Sequence, residues 1–90
     1  MPRPTIAIQG SMSDGSIEDS IDCEGLLCPL PVLRARKRLN ALPPGAVLAV
    51  RATDPMAAID LTHFCAQHGH SLLSSQADGV VTVYRIRRGA

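Results

Sequence analysis

Ninety residues allow a single domain, and a hydrophobic share of 46% is enough to pack a core and argues against disorder throughout. One Phe, one Tyr and no Trp leave a base-stacking RNA platform little to be built from. The net charge is +1, and three cysteines in no paired spacing argue against a disulfide framework and for a reducing compartment. No apolar run approaches the ~18 residues of a membrane span. The Thr5-Ile6-Ala7-Ile8 stretch is too short for a signal-peptide core, so a soluble, cytoplasmic protein is expected.

Residues 1–16 carry Pro, Gly, Ser and Gln without periodicity and read as a disordered leader. Within it, Gly10-Ser11-Met12 has the look of a cloning scar ahead of a native start. One domain is expected over residues 17–88. Its first strand runs from Glu18 to Cys23, with Ile17, Asp19 and Ile21 on one side and Gly25 ending it. Pro29 and Pro31 open a helix whose buried stripe is Val32, Ala35, Leu39 and Leu42; Pro43-Pro44-Gly45 stops it. Ala46 to Ala52 reads as a strand. Asp54 is placed to cap the next helix and Pro55 to occupy its first position. That helix should bury Met56, Ile59, Leu61, Phe64 and Cys65, and Gly69 should terminate it. Ser71 to Ser75, a turn at Ala77-Asp78-Gly79 and an alternating strand from Val80 to Arg87 complete the chain. The order β-α-β-α-β-β predicts an α/β two-layer sandwich: a four-stranded mixed sheet with both helices on one face.

Charge is segregated along the chain. Asp14, Glu18, Asp19, Asp22 and Glu24 form an acidic run without a base, followed by Arg34, Arg36, Lys37 and Arg38; Arg85, Arg87 and Arg88 lie near the end. Either cluster reads as a solvated face or as a docking surface of one sign.

The sharpest local feature is Cys28-Pro29-Leu30-Pro31. A residue before proline is pushed out of helical geometry, which puts Cys28 at or just before the helix start. Free N–H groups and the positive end of the helix dipole would then face its sulfur and lower the thiol's pKa. Arg34 would add positive field if it points back. By position Cys28 is a candidate nucleophile, while a lone cysteine beside prolines is often only structural.

The segment Asp22-Cys23-Glu24-Gly25-Leu26-Leu27-Cys28-Pro29-Leu30-Pro31 resembles the signature of the TusA-like (SirA-like) sulfur-carrier family. The likeness continues through Leu42-Pro43-Pro44-Gly45, Thr53-Asp54-Pro55, Asp60, Phe64-Cys65, Gly69-His70 and the closing strand, from Ile17 to Arg88. It implies the same two-layer sandwich, and a sulfurtransferase-type carrier whose Cys28 accepts sulfane sulfur as a persulfide and hands it to a partner protein. Gly25, Pro29 and Pro31 would support that site, and Asp22 would help to hold the turn. The implied partners are a cysteine desulfurase, a rhodanese or another sulfur-relay protein, and a downstream acceptor. Arg34, Arg36, Lys37 and Arg38 would border the site and steer an acidic partner. Leu30 departs from the Glu that the tRNA-thiolation members carry there, which weakens any transfer of their partner specificity.

Other readings compete. A regulatory or RNA-binding module rests on the likeness of this fold to the C-terminal domain of a bacterial translation initiation factor, and the lack of aromatics counts against direct nucleic-acid binding. A thiol-redox pair of Cys23 with Cys28 lacks a Cys-x-x-Cys spacing, and Cys65 reads as a small core residue. His63, His68 and His70 surround Cys65 without metal-ligand spacing, so no metal is expected. No cofactor motif is visible.

Overall fold

The computed structural model describes residues 17–89. The expected leader and its Gly10-Ser11-Met12 step lie outside the described residues. Six elements follow in the anticipated order: β1 (Glu18–Cys23), α1 (Leu30–Asn40), β2 (Val47–Ala52), α2 (Ala57–His68), β3 (Ser71–Asp78) and β4 (Val81–Arg87). They form one mixed sheet in the order β1-β2-β4-β3, with β1 and β2 parallel and the other pairs antiparallel. Parallel pairing needs a crossover, and α1 supplies it.

Period-two alternation decides which face is covered. Leu48, Val50 and Ala52 in β2 and Tyr84 and Ile86 in β4 are buried, while Val47, Ala49, Arg51, Val83 and Arg85 between them are only partly covered. The α1 helix packs on β1 and β2, α2 packs on β3, and the helices touch each other, so both lie over that one face. Pro31, Ala35 and Leu39 form the buried stripe of α1, with Val32 and Leu42 partly buried beside it. Burying an aliphatic side chain of this size contributes about 1.5–3 kcal/mol. Cys23 and Cys65 both belong to this core.

Two expectations about α2 and the final hairpin need correction. Ala57, Leu61, Phe64 and Cys65 form the buried stripe, whereas Met56 and Ile59 are 47% and 51% exposed. The regular helix begins at Ala57, and Ile59 is two positions from both Ala57 and Leu61, about 200° around the helix from each. The β3 strand extends to Asp78, so the turn falls at Gly79 and Val80, the latter 85% exposed. A register shift between Leu72 and Ser74 hides this length from a strict alternation pattern. At the other end of α2 the expected C-terminal signal holds. Gly69 has φ +74°, and its N–H donates to Cys65 O.

The acidic run is not a free one-signed patch. Glu18 pairs with Arg85, Asp19 with Arg38 at 3.0 Å and Glu24 with Arg51 at 3.2 Å. Exposed pairs of this kind contribute about 0–1 kcal/mol each, but they cancel the local field. On the edge strand β1, Asp19 Oδ1 also accepts the Ser20 N–H at 2.8 Å, occupying a donor that a foreign strand would otherwise seek.

Candidate functional site

Parallel pairing of β1 and β2 ends with Cys23 opposite Ala52, so the segments after both strands emerge side by side. That juxtaposition builds the site. Gly25, at φ +80°, donates its N–H to Thr53 Oγ1 at 2.9 Å, a backbone conformation in which a side chain would be strained. Asp22 Oδ1 accepts the Glu24 N–H at 2.9 Å where the chain turns after β1. Cys28 donates its N–H to Asp54 Oδ2 at 2.6 Å, the short distance of a charge-assisted bond. Asp54 Oδ1 accepts the Met56 N–H at 3.0 Å at the entrance to α2. One carboxylate therefore caps the approach to α2 and fastens the loop that carries Cys28.

Cys28 is exposed, one residue before Pro29, the N-cap residue of α1. The Cys28–Pro29 peptide bond is cis. Pro31 is buried beneath the first turn of α1 and anchors it. Exposed apolar side chains occur near both helix starts, Leu27 (68% exposed), Leu30 and Leu33 at α1 and Met56 and Ile59 at α2; of these, Leu33 lines the same groove as Cys28.

The electrostatics overturn the expected lowering of the thiol's pKa. A hydrogen bond to Asp60 is the largest influence and pushes Cys28 upward; desolvation and the negative charges of Asp60 and Asp54 push the same way. The two carboxylates, Asp60 in α2 and Asp54 just before it, both act against the anion. Arg34, expected to add positive field at Cys28, acts instead on Cys23, where it opposes part of the upward push of burial. Burial likewise raises Cys65.

The basic cluster divides around α1. Arg36 lines a groove of about 360 Å³ between α1 and α2 that includes Cys28 and Pro29. Val32 and Phe64 also line it, along with Asp60, His63 and His68. Arg34, Lys37 and Arg38 line a second groove of about 650 Å³ with Ile21 and Leu33. This larger groove contains no cysteine, so the smaller one is the site of interest. Of the four expected partner-binding residues, only Arg36 shares a groove with the thiol. His68 and His70 stack against each other, both rings meet Phe64 at a tilt, and His70 Nδ1 accepts the Gly89 N–H at 2.9 Å. Among the described residues no group of three or more His, Cys, Asp or Glu is placed to hold a metal ion.

Sequence reasoning named Thr53, Asp54 and Asp60 within the family likeness but gave Thr53 and Asp60 no role at the site and Asp54 only that of a cap. The available signal was the pairing of β1 with β2: once those strands are parallel neighbours, Thr53-Asp54 must lie beside the segment leading to Cys28.

The model for the sulfurtransferase TusA family matches residues 19–88. The chain belongs to the TusA family. It is 50% identical over 66 residues to a Neisseria meningitidis relative, covering 72% of this chain and 89% of that one. Allochromatium vinosum has a relative named sulfur carrier protein TusA, 47% identical over 62 residues and covering 69% of this chain and 82% of the relative. A crystal structure of a SirA-like protein from Desulfitobacterium hafniense superposes with a TM-score of 0.71 at 28% identity, covering 80% of this chain and 99% of that one. The two-layer sandwich of the TusA family is thus the fold of this chain. No described helix is long and apolar enough to cross a membrane.

Proposed function

We propose that this protein is a sulfur carrier: Cys28 accepts sulfane sulfur as a persulfide from a cysteine desulfurase, a rhodanese or another relay protein, and passes it to an acceptor protein. Membership of a family with members named sulfur carriers supports a sulfur-carrier role. The observation that carries the reading is the placement of Cys28, the exposed thiol of the three cysteines, at the start of α1 in a groove that Val32, Leu33 and Phe64 also line. Scattered exposed leucines need no explanation, but an exposed thiol in a groove with apolar lining is suited to a protein partner.

In the acceptance step Cys28 Sγ attacks the outer sulfur of the donor's persulfide. The donor's S–S bond breaks, its electron pair leaves on the donor cysteine, and that sulfur takes up the proton given up by Cys28. A thiol and a persulfide exchange roles, with no net oxidation. Delivery repeats the exchange with Cys28 as donor. Leu27, Leu30, Leu33, Met56 and Ile59 supply the apolar contact that brings two cysteines together, and Arg36 steers from the rim of the groove.

Intact-protein mass spectrometry tests this reading. After incubation with cysteine and a desulfurase, or with thiosulfate and a rhodanese, the protein gains the mass of one sulfur atom, which dithiothreitol removes. Cys28→Ser abolishes the adduct; Cys23→Ser and Cys65→Ser keep it. No adduct with several donors, on a folded protein with an accessible Cys28, would overturn the sulfur-carrier reading.

A further inference from the structure

The larger groove takes no part in the exchange written above, yet it has a chemistry of its own. Leu30, Leu33, Arg34, Lys37 and Ala41 follow one another along α1 at i, i+3, i+4, i+7 and i+11, the spacing of a single stripe on a helix. This is not the buried stripe, which is Pro31, Ala35 and Leu39. Leu30 and Leu33 are 46% and 51% exposed, and Arg34, Lys37 and Ala41 are exposed as well. Ile21 of the edge strand β1, itself packed against the core, completes the groove of about 650 Å³ beside the stripe. The charge here has one sign. Arg34, Lys37 and Arg38 line the groove, and among the described residues no acid does. Arg38 is paired with Asp19 at 3.0 Å, whereas Arg34 and Lys37 enter none of the ion pairs among the described residues and leave the groove with uncompensated positive charge. The groove that contains Cys28 differs, because Asp60 lines it along with Arg36.

We infer that this groove is a docking surface for an acidic, amphipathic segment of a partner protein, laid along α1 with one end at Leu30, two residues after Cys28. This deepens the sulfur-carrier reading and rests on it for the kind of partner, a sulfur-relay protein. An apolar floor with cations at its rim fits a segment that turns aliphatic side chains inward and carboxylates outward. The 11 residues of α1 span about 16 Å, room for about three turns of a partner helix. Nucleic acid would make no use of Ile21, Leu30 and Leu33, and one Phe, one Tyr and no Trp leave little on which to stack bases. A lipid surface favours a projecting apolar face, whereas these side chains line a concavity. Persulfide exchange is the same reaction with any thiol partner, so a contact that selects among partners has to lie away from the sulfur, as this one does.

The test is a titration of the isotope-labelled protein, followed by amide NMR shifts, with two synthetic peptides of about twelve residues that share leucines at helical spacing and carry either glutamate or lysine between them. The glutamate peptide should give saturable shifts at Lys37 and Ala41 and leave Phe64 and Gln67, in the other groove, in place. Its affinity should fall several-fold between about 0.05 M and 0.3 M salt, and the lysine peptide should bind at least several-fold more weakly. The double variant Arg34→Glu, Lys37→Glu should reverse that preference. Leu30→Gln keeps the charges and should still weaken the glutamate peptide several-fold. Circular dichroism checks that each variant is folded. The inference is overturned by the absence of a saturable shift with the glutamate peptide, by shifts centred on Phe64 and Gln67, or by a folded double variant with unchanged preference. Tighter binding of phosphatidylglycerol vesicles or of a single-stranded RNA oligonucleotide at Lys37 and Ala41 overturns it too. No sulfur donor is present in this titration. Sulfur loading without peptide binding refutes the role of the groove alone; peptide binding without loading refutes the carrier reading alone.

Discussion

Asp54→Ala removes a side chain that joins the segments leading into the two helices. Its carboxylate accepts the Cys28 N–H at 2.6 Å and the Met56 N–H at 3.0 Å. Losing a helix-entry cap costs about 0.5–2 kcal/mol. A hydrogen bond to a charged group contributes about 1.5–3 kcal/mol, and less where water can replace the lost partner, as at this half-exposed residue. A combined loss of about 1–3 kcal/mol is expected, a large share of the roughly 5–15 kcal/mol that holds a typical domain. With a urea slope near 1 kcal/mol/M for so small a protein, the unfolding midpoint should fall by about 1–3 M. Hydrogen exchange supplies a local readout. The Cys28 amide should lose protection in the variant, while the Leu39 amide, deep in α1, changes only as global stability changes. Asp54→Asn keeps one acceptor oxygen and should fall between parent and alanine variant. If Asp54→Ala unfolds within about 0.5 kcal/mol of the parent, the carboxylate does not fasten the loop and the account of the site's rigidity is wrong.

Arg36→Glu should slow sulfur delivery from the cognate donor several-fold at low salt, with the difference shrinking as salt rises, and should leave stability within about 0.5 kcal/mol. Arg34→Glu, in the groove that contains no cysteine, should have the smaller effect; equal effects in stopped-flow transfer would refute the division of the cluster around α1. His70 is held below its ordinary 6.5 by burial, then by the charges of His68 and Arg88, and its Nδ1 accepts the Gly89 N–H. Its folded pKa is depressed, so the unfolded chain takes up the proton first; stability is full above pH 6.5 and declines as pH falls below it. In urea titrations across that range His70→Gln should flatten the decline, and an unchanged slope would refute the assignment.

Most of the fold was legible because each element carries its own local signal. Alternation marks β1, β2 and β4, proline and glycine bracket α1, and Gly69 closes α2 with its positive φ. The errors fall where local pattern and tertiary structure diverge. Met56 and Ile59 are apolar and close to a true buried stripe, so composition alone places them in the core; with the helix starting at Ala57 they are exposed instead. The site was legible to the extent that it is local. Cys28 exposed at a helix start follows from the Cys-Pro-x-Pro segment, but the sign of its pKa change does not. That sign is set by Asp54 and Asp60, brought to the thiol by pairing β1 with β2 and by the course of α2. A helix dipole can be inferred from one segment; a carboxylate contributed by another element requires the topology.

The burial of Cys23 decides between one-thiol and two-thiol chemistry. Cys23 is 0% exposed at the end of β1, in a core that includes Ala35, Leu39, Val50 and Ala52, whereas Cys28 faces solvent. A disulfide that drew Cys23 out of that core, or Cys28 out of the loop held by Asp54 and Thr53, would disturb the base of the site. Either movement gives up contacts that hold the domain together, since emptying a buried aliphatic-sized site costs about 1 kcal/mol or more. Transfer of a single sulfur atom asks for neither movement. On the proposed reading, the terminal sulfur of a persulfide would extend outward from an exposed Cys28 toward a partner, while the core behind it stays closed. Rigidity at the base of the loop and exposure at its tip are therefore complementary requirements of the same chemistry. A resolving cysteine would have to break the first to use the second.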